Sequence, residues 1–131
     1  MLADDYRAYI GRIETALGLS GDTAREARAA YALSTAQARV KNLTNLAELP
    51  EGLDHVVIRI AAGEYLDMAF LGGLVNTDAV PALVKQITEG DTTVSFAAPD
   101  GASGTQLLGS LINGLKNGYM DEIYRYRRLL W

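Results

Sequence analysis

Apolar residues recur at helical spacing through most of this chain. Tyr6, Ile10, Ile13 and Leu17 form one stripe with charges between them, which predicts a first helix over residues 4–17, stopped by Gly18. Ser20 or Asp22 is placed to cap a second helix, whose stripe reads Ala29, Leu33, Ala36, Val40 and Leu43 and fades at NLAELP. Pro50 suits the first turn of a third segment, because its missing donor is unpaired there anyway. Val56, Val57, Ile60, Ala61, Tyr65, Met68 and Leu71 make that segment the most apolar helix and the expected centre of the core. Gly72 and Gly73 break it.

Residues 74–104 differ in kind. NTDAVPALVKQITEG has room for a short irregular helix around Pro81, and TTVSFA then alternates as a strand would, with Val94 and Phe96 on one side and Thr93 and Ser95 on the other. PDGASG reads as a turn or loop. A fourth helix starts near Ser103 or Thr105 and carries Leu108, Leu111, Ile112, Leu115, Tyr119, Ile123, Tyr126 and Leu130 on one face, with Gly114 and Gly118 as places where it bends or divides. The expected fold is a single, mainly α domain over 1–131: a small bundle of about four helices with one long loop or extended excursion at 73–104. A lone strand leaves backbone donors and acceptors to satisfy. It must form a hairpin within the excursion, stay in water, or pair with another chain.

Composition narrows the function. A net charge of −4 argues against the molecule as a whole seeking nucleic acid. The absence of cysteine excludes disulfides, thiol catalysis and cysteine-ligated zinc. The start MLADDYRAYIG lacks the basic and apolar runs of a signal peptide, and no apolar stretch is long enough to span a membrane.

Candidate chemistry is sparse, and no catalytic or metal-ligating set emerges. His55 is the only histidine, and a lone histidine near a helix start is more often a surface or hydrogen-bonded residue than a catalyst. Glu64 and Asp67, three apart, could share acid–base work or a cation, but a polar face or interface salt bridges is the commoner outcome. GASGT lacks the lysine of a phosphate loop, and GLKNG matches a motif that has meaning only in membrane helices. No cofactor is implied. An enzyme using Glu64, Asp67 or His55 is the least supported class.

The sequence closes DEIYRYRRLLW. Arg125, Arg127 and Arg128 with neighbouring tyrosines would suit a nucleic-acid arm, but Asp121, Glu122 and the terminal carboxylate offset them almost entirely. Leu129, Leu130 and Trp131 are too few for a membrane foot. Ile123 and Tyr126 continue the core stripe, whereas Tyr124 and Trp131 fall off it. Trp, Tyr and Arg are enriched at interface hot spots, so docking into a partner is the sharper reading.

Three stretches in order carry a family resemblance. LPEGLDHVVIRIAAGEYL, ITEGDTTVSFA and IYRYRRLLW resemble the third-helix entry, the extended segment and the closing tyrosine–arginine motif of the head–tail connector (adaptor) proteins of long-tailed bacteriophages. The likeness covers residues 48–131 and departs from the family pattern between Phe70 and Glu89, where GEYLDMAFLGGLVN replaces a shorter connection. It implies a non-enzymatic virion protein, made in the host bacterial cytoplasm and placed at the head–tail junction. There it would form a homo-oligomeric ring, commonly twelve-fold, that extends the DNA channel. Its partners would be the portal protein, a stopper or tail-completion protein, and its own copies, with DNA passing unbound. By matching motif, Tyr124, Arg125, Tyr126, Arg127, Arg128, Leu129, Leu130 and Trp131, within a tail of 121–131, would face the portal. Thr92, Thr93, Val94, Ser95, Phe96 and Ala97 would contact a neighbouring subunit. The competing function is a nucleic-acid-binding packaging factor resembling a small terminase subunit, with the arginines as its contacts.

Overall fold

A computed structural model of the chain describes residues 2–17, 25–73, 75, 77–90 and 103–127. Their architecture is mainly helical, with no strand among the described residues. The expected strand and inter-subunit segment at Thr92–Ala97 lies outside them, as does the start of the second helix at Ser20–Asp22. The elements are α1 (Leu2–Leu17), α2 (Arg25–Thr44), a 3-10 turn at Glu51–Leu53, α3 (Asp54–Leu71), a second 3-10 turn at Thr77–Ala79, α4 (Val80–Gly90), α5 (Gly104–Asn117) and a short α6 (Met120–Arg125).

α3 is the hub. It packs against α1, α2 and α5, and it buries Val56, Ile60, Ala62, Tyr65, Leu66 and Ala69 toward different neighbours. A helix surrounded in this way has no polar face over most of its length, as its composition led us to expect. Pro50 stands just before the 3-10 turn that leads into α3. Leu71 departs from expectation: it is 77% exposed, because the helix outruns its partners at that end.

α2 forms a hairpin with α3, and its register differs from the predicted stripe. Ala32, Ala36, Val40 and Thr44 are buried, while Ala29, Leu33 and Leu43 are half-buried flanks. Small side chains on the inner stripe bring the two helices close. Thr44 donates its buried hydroxyl to the Val40 carbonyl at 2.8 Å, and Asn45 then leaves the helix at φ 59°.

About a third of the predicted excursion is a helix that joins the core. α4 lies against α1 and α5 and buries Val80, Leu83 and Ile87 at helical spacing. Pro81 occupies its first turn, where a proline removes no helical hydrogen bond. Ser103 caps α5 reciprocally: Gln106 N donates to Ser103 Oγ at 3.2 Å, and Ser103 N donates to Gln106 Oε1 at 2.9 Å. α5 passes α3 at Gly63, where an added Cβ would sit 3.1 Å from Leu115 Cβ and 2.6 Å from Lys116 Cγ, so glycine sets the helix spacing. The predicted fourth helix is divided. α5 ends at Asn117, Gly118 turns the backbone against the Gly114 carbonyl, and α6 restarts at Met120.

A polar cluster holds α1 to the hairpin. Tyr6 donates its hydroxyl to the Ala29 carbonyl at 2.7 Å. Tyr65 is fully buried and has the Arg28 guanidinium 5.6 Å from its ring, and Glu14 is only 8% exposed. Burial pushes the Tyr65 hydroxyl up to about 12, and the Glu14 carboxylate adds to the shift while Arg28 opposes it. Tyr6 is raised further, again mainly by burial, then by Tyr65 and Glu14. A hydroxyl whose pKa rises on folding adds stability at every pH below its ordinary value of 10 and gives it up as pH climbs toward the folded value. Alkaline titration is therefore expected to lower the unfolding free energy by roughly 2 kcal/mol through Tyr65 as pH rises from about 10 to about 12. Urea unfolding across that range checks the loss, and Tyr65→Phe should flatten the slope.

Candidate docking surface at the C-terminal helix

α6 is short but firmly placed. Ile123 is fully buried, Tyr119 just before the helix is nearly so, and the Ile123 amide donates to the Tyr119 carbonyl at 3.0 Å. One turn of helix cannot hold itself in water, so this apolar anchor supplies the order. His55 Nε2 lies 2.8 Å from Glu122 Oε1 and ties the start of α3 to α6. Upstream, Arg39 Nη2 donates to Asn117 Oδ1 at 2.8 Å and ties α2 to the end of α5.

With Ile123 inward, the following residues face out. Tyr124 is 46% exposed and Tyr126 39%, and Arg125 and Arg127 are exposed as well. The Arg127 guanidinium stands 5.8 Å from the Tyr124 ring centroid, within cation–π range. Tyr126 was expected on the core stripe. Instead its ring lies across the surface with its hydroxyl against Gly52, a position where an added Cβ would collide with it. The glycine of the LPEGL turn thus provides the seat for the tyrosine of the closing motif. Arg128, Leu129, Leu130 and Trp131 lie outside the described residues.

Of the three carboxylates expected to offset the arginines, the terminal one lies outside the described residues. Glu122 is directed to His55, and no carboxylate pairs with Arg125 or Arg127 among the described residues. Glu64 and Asp67 do share a face, but Lys116 of α5 closes on both, with Nζ 3.2 Å from Glu64 Oε1 and 3.7 Å from Asp67 Oδ2. That is an interhelical salt bridge beside Gly63. His55, Glu64 and Asp67 therefore do not converge on one site. Among the described residues no group of three or more His, Cys, Asp or Glu side chains is placed to hold a metal, and no helix is long and apolar enough to cross a membrane.

Sequence reading missed an open groove of about 770 Å³ between α1 and the start of α3, next to α6. Tyr9 lies in it, with Arg12 5.5 Å and Arg59 5.6 Å from its ring centroid. Arg59 also donates to the His55 carbonyl at 2.8 Å. The signal was present in part, since Tyr9 sits beside Ile10 and Ile13 on the α1 stripe, but only the packing of two helices creates the groove. No known family, curated protein or solved structure matches this chain.

Proposed function

We propose that the chain is a subunit of a head–tail connector ring of a long-tailed bacteriophage, docking on the portal through Tyr124–Trp131 and carrying no catalytic site. The observation that supports it most is the outward Tyr124–Arg127 face on a short helix pinned to the bundle by Ile123 and His55. Aromatic rings and guanidiniums held rigidly on a surface are what interface hot spots are made of. The ordered resemblance of the LPEGL, TTVSFA and YRYRRLLW stretches supplies the identity of the partner. Ring subunits meet through a heterologous interface that closes on itself, and the segment at Thr92–Ala97 is assigned to that contact. A docking element of a few kcal/mol per copy becomes secure when many copies engage together. The acidic balance of −4 suits a channel wall that must not hold passing DNA.

The test is the mass of the purified chain, alone and mixed with a portal ring. The expected result is a monomer that becomes a ring only on the portal. A chain that ignores the portal overturns the assignment. Because Glu122 pairs with His55 and not with Arg125 or Arg127, a packaging factor that binds nucleic acid is the second reading. It requires DNA binding that weakens steeply with salt, whereas the connector reading expects little binding at any salt.

A further inference from the structure

We infer that Gly52 is the positioning residue for the exposed tyrosine–arginine face: its missing side chain seats the Tyr126 ring and thereby orients Tyr124, Arg125 and Arg127. The backbone does not ask for glycine at this place. Gly52 is the middle residue of the 3-10 turn Glu51–Leu53, and among the described residues Gly73 is the one glycine at positive φ. Any residue but proline can adopt such a turn without strain. A glycine that the conformation does not require costs stability, because it enlarges the unfolded ensemble.

The neighbour asks for it instead. The three atoms nearest to a Cβ added at Gly52 all belong to Tyr126: the hydroxyl oxygen collides with it, and Cζ and Cε1 lie at 3.2 and 3.6 Å. Other glycines serve the packing of the bundle. A Cβ at Gly63 would meet α5, and one at Gly118 would meet the Gly114 carbonyl. At Gly52 it would meet the far end of one half-exposed ring, which can swing into water at small cost. Filling the space would therefore move the face without opening the core.

The seat is one of two ties in matching register. Glu122 and Tyr126 stand four residues apart, and Gly52 and His55 three apart at the entry to α3. His55 Nε2 meets Glu122 Oε1 at 2.8 Å, and the Tyr126 hydroxyl meets Gly52. α6 has six residues, too few to hold a direction by itself, and Ile123 gives it one buried anchor. Two further ties about one turn apart stop it from rolling about that anchor.

Gly52→Ala puts a methyl group under the Tyr126 hydroxyl, and Tyr126→Phe removes that hydroxyl. Proton NMR of the chain alone reads the seat. Cross-relaxation between the ring of residue 126 and the α-protons of residue 52 is expected in the natural chain and in Tyr126→Phe. Gly52→Ala should abolish it while Tm holds or rises, since alanine suits the turn. Combining Gly52→Ala with Tyr126→Phe should restore it, because Cζ at 3.2 Å has little distance to give. On a portal ring, Gly52→Ala should bind about tenfold more weakly, and the double change should return to within about twofold of Tyr126→Phe alone. That arm rests on the docking reading, and the spectra do not. A natural chain without the contact, or Gly52→Ala with it, overturns the inference. So does a Tm that falls by several degrees in Gly52→Ala, which would mark a packing residue. Portal binding that stays unchanged when the contact is lost, or a loss that Tyr126→Phe does not relieve, overturns it too. A natural chain that ignores the portal overturns the docking reading alone, and the spectra then decide the seat.

Discussion

Removing residues 124–131 is expected to leave a folded helical domain that no longer joins portal-bearing heads. The anchors of α6 stay: Ile123, Tyr119 and the His55–Glu122 pair all precede the cut. Of the described residues, the domain loses the contact of Tyr126 with Gly52 and of Arg127 with Tyr124, both on the surface. Such contacts are worth about 1 kcal/mol together, which lowers Tm by only a few degrees in a chain of this size. If the proposed portal docking holds, the loss on that side is much larger. Each copy forfeits two half-exposed tyrosine rings as well as Leu129, Leu130 and Trp131, roughly 3 kcal/mol or more and thus at least a hundredfold in affinity per copy. Around a ring those factors compound. Head completion in vitro should fall to background while circular dichroism and melting stay near those of the full chain. Completion at normal yield by the truncated chain would remove the tail from the docking role.

The two halves of the proposed interface were legible to different degrees. Ile123 and Tyr124 separate by spacing alone, because consecutive residues on a helix point about 100° apart and Leu111, Leu115 and Tyr119 had already fixed the inner stripe. Tyr126 did not follow that rule. Gly118 resets the helix, and the short α6 ends at Arg125, so the stripe extrapolated from α5 no longer applies there. The seat at Gly52 is seventy-odd residues away and could not be read from local pattern. The same limit hid the partner of Glu122: its nearest cations in sequence are arginines, but α3 brings His55 to it.

Elsewhere, contrast decided what was readable. α1, α3 and α5 alternate large apolar residues with polar ones or are apolar throughout, and the expected helices match closely. α2 is rich in alanine on several faces, so Ala36 and Val40 of the expected stripe are buried while Ala29, Leu33 and Leu43 only flank it. The short helix expected around Pro81 is α4, where Val80, Leu83 and Ile87 carry helical spacing and a proline in the first turn is no obstacle. Correct registration of α2 would also have exposed Arg28, four residues before Ala32 on the buried stripe, and would have asked what it pairs with.

The largest expected effect on stability lies at Arg28. Arg28→Leu should cost about 3 kcal/mol, read as a lower urea midpoint with an unchanged slope. The guanidinium stands over the Tyr65 ring, with Nη1 out of solvent, in the cluster that contains the nearly buried Glu14. Leucine can replace the packing against Tyr65, but it cannot face a carboxylate. Glu14 would be left in low dielectric with its favourable field weakened, and the exposed Arg7 on the rim of the cluster is too solvated to substitute. Glu14→Leu alone should be costly in the same way, because it strands the cation. Glu14 and Arg28 both act on the Tyr65 hydroxyl, so the triple variant Glu14→Leu, Arg28→Leu, Tyr65→Phe should recover to within about 1 kcal/mol of the natural chain: an apolar cluster of similar volume has no polar group left to satisfy. Strict additivity of the single losses would show that Glu14 and Arg28 do not act on one another. Recovery in the triple variant would mean that the cluster fixes how α1 docks on the hairpin and adds little net stability.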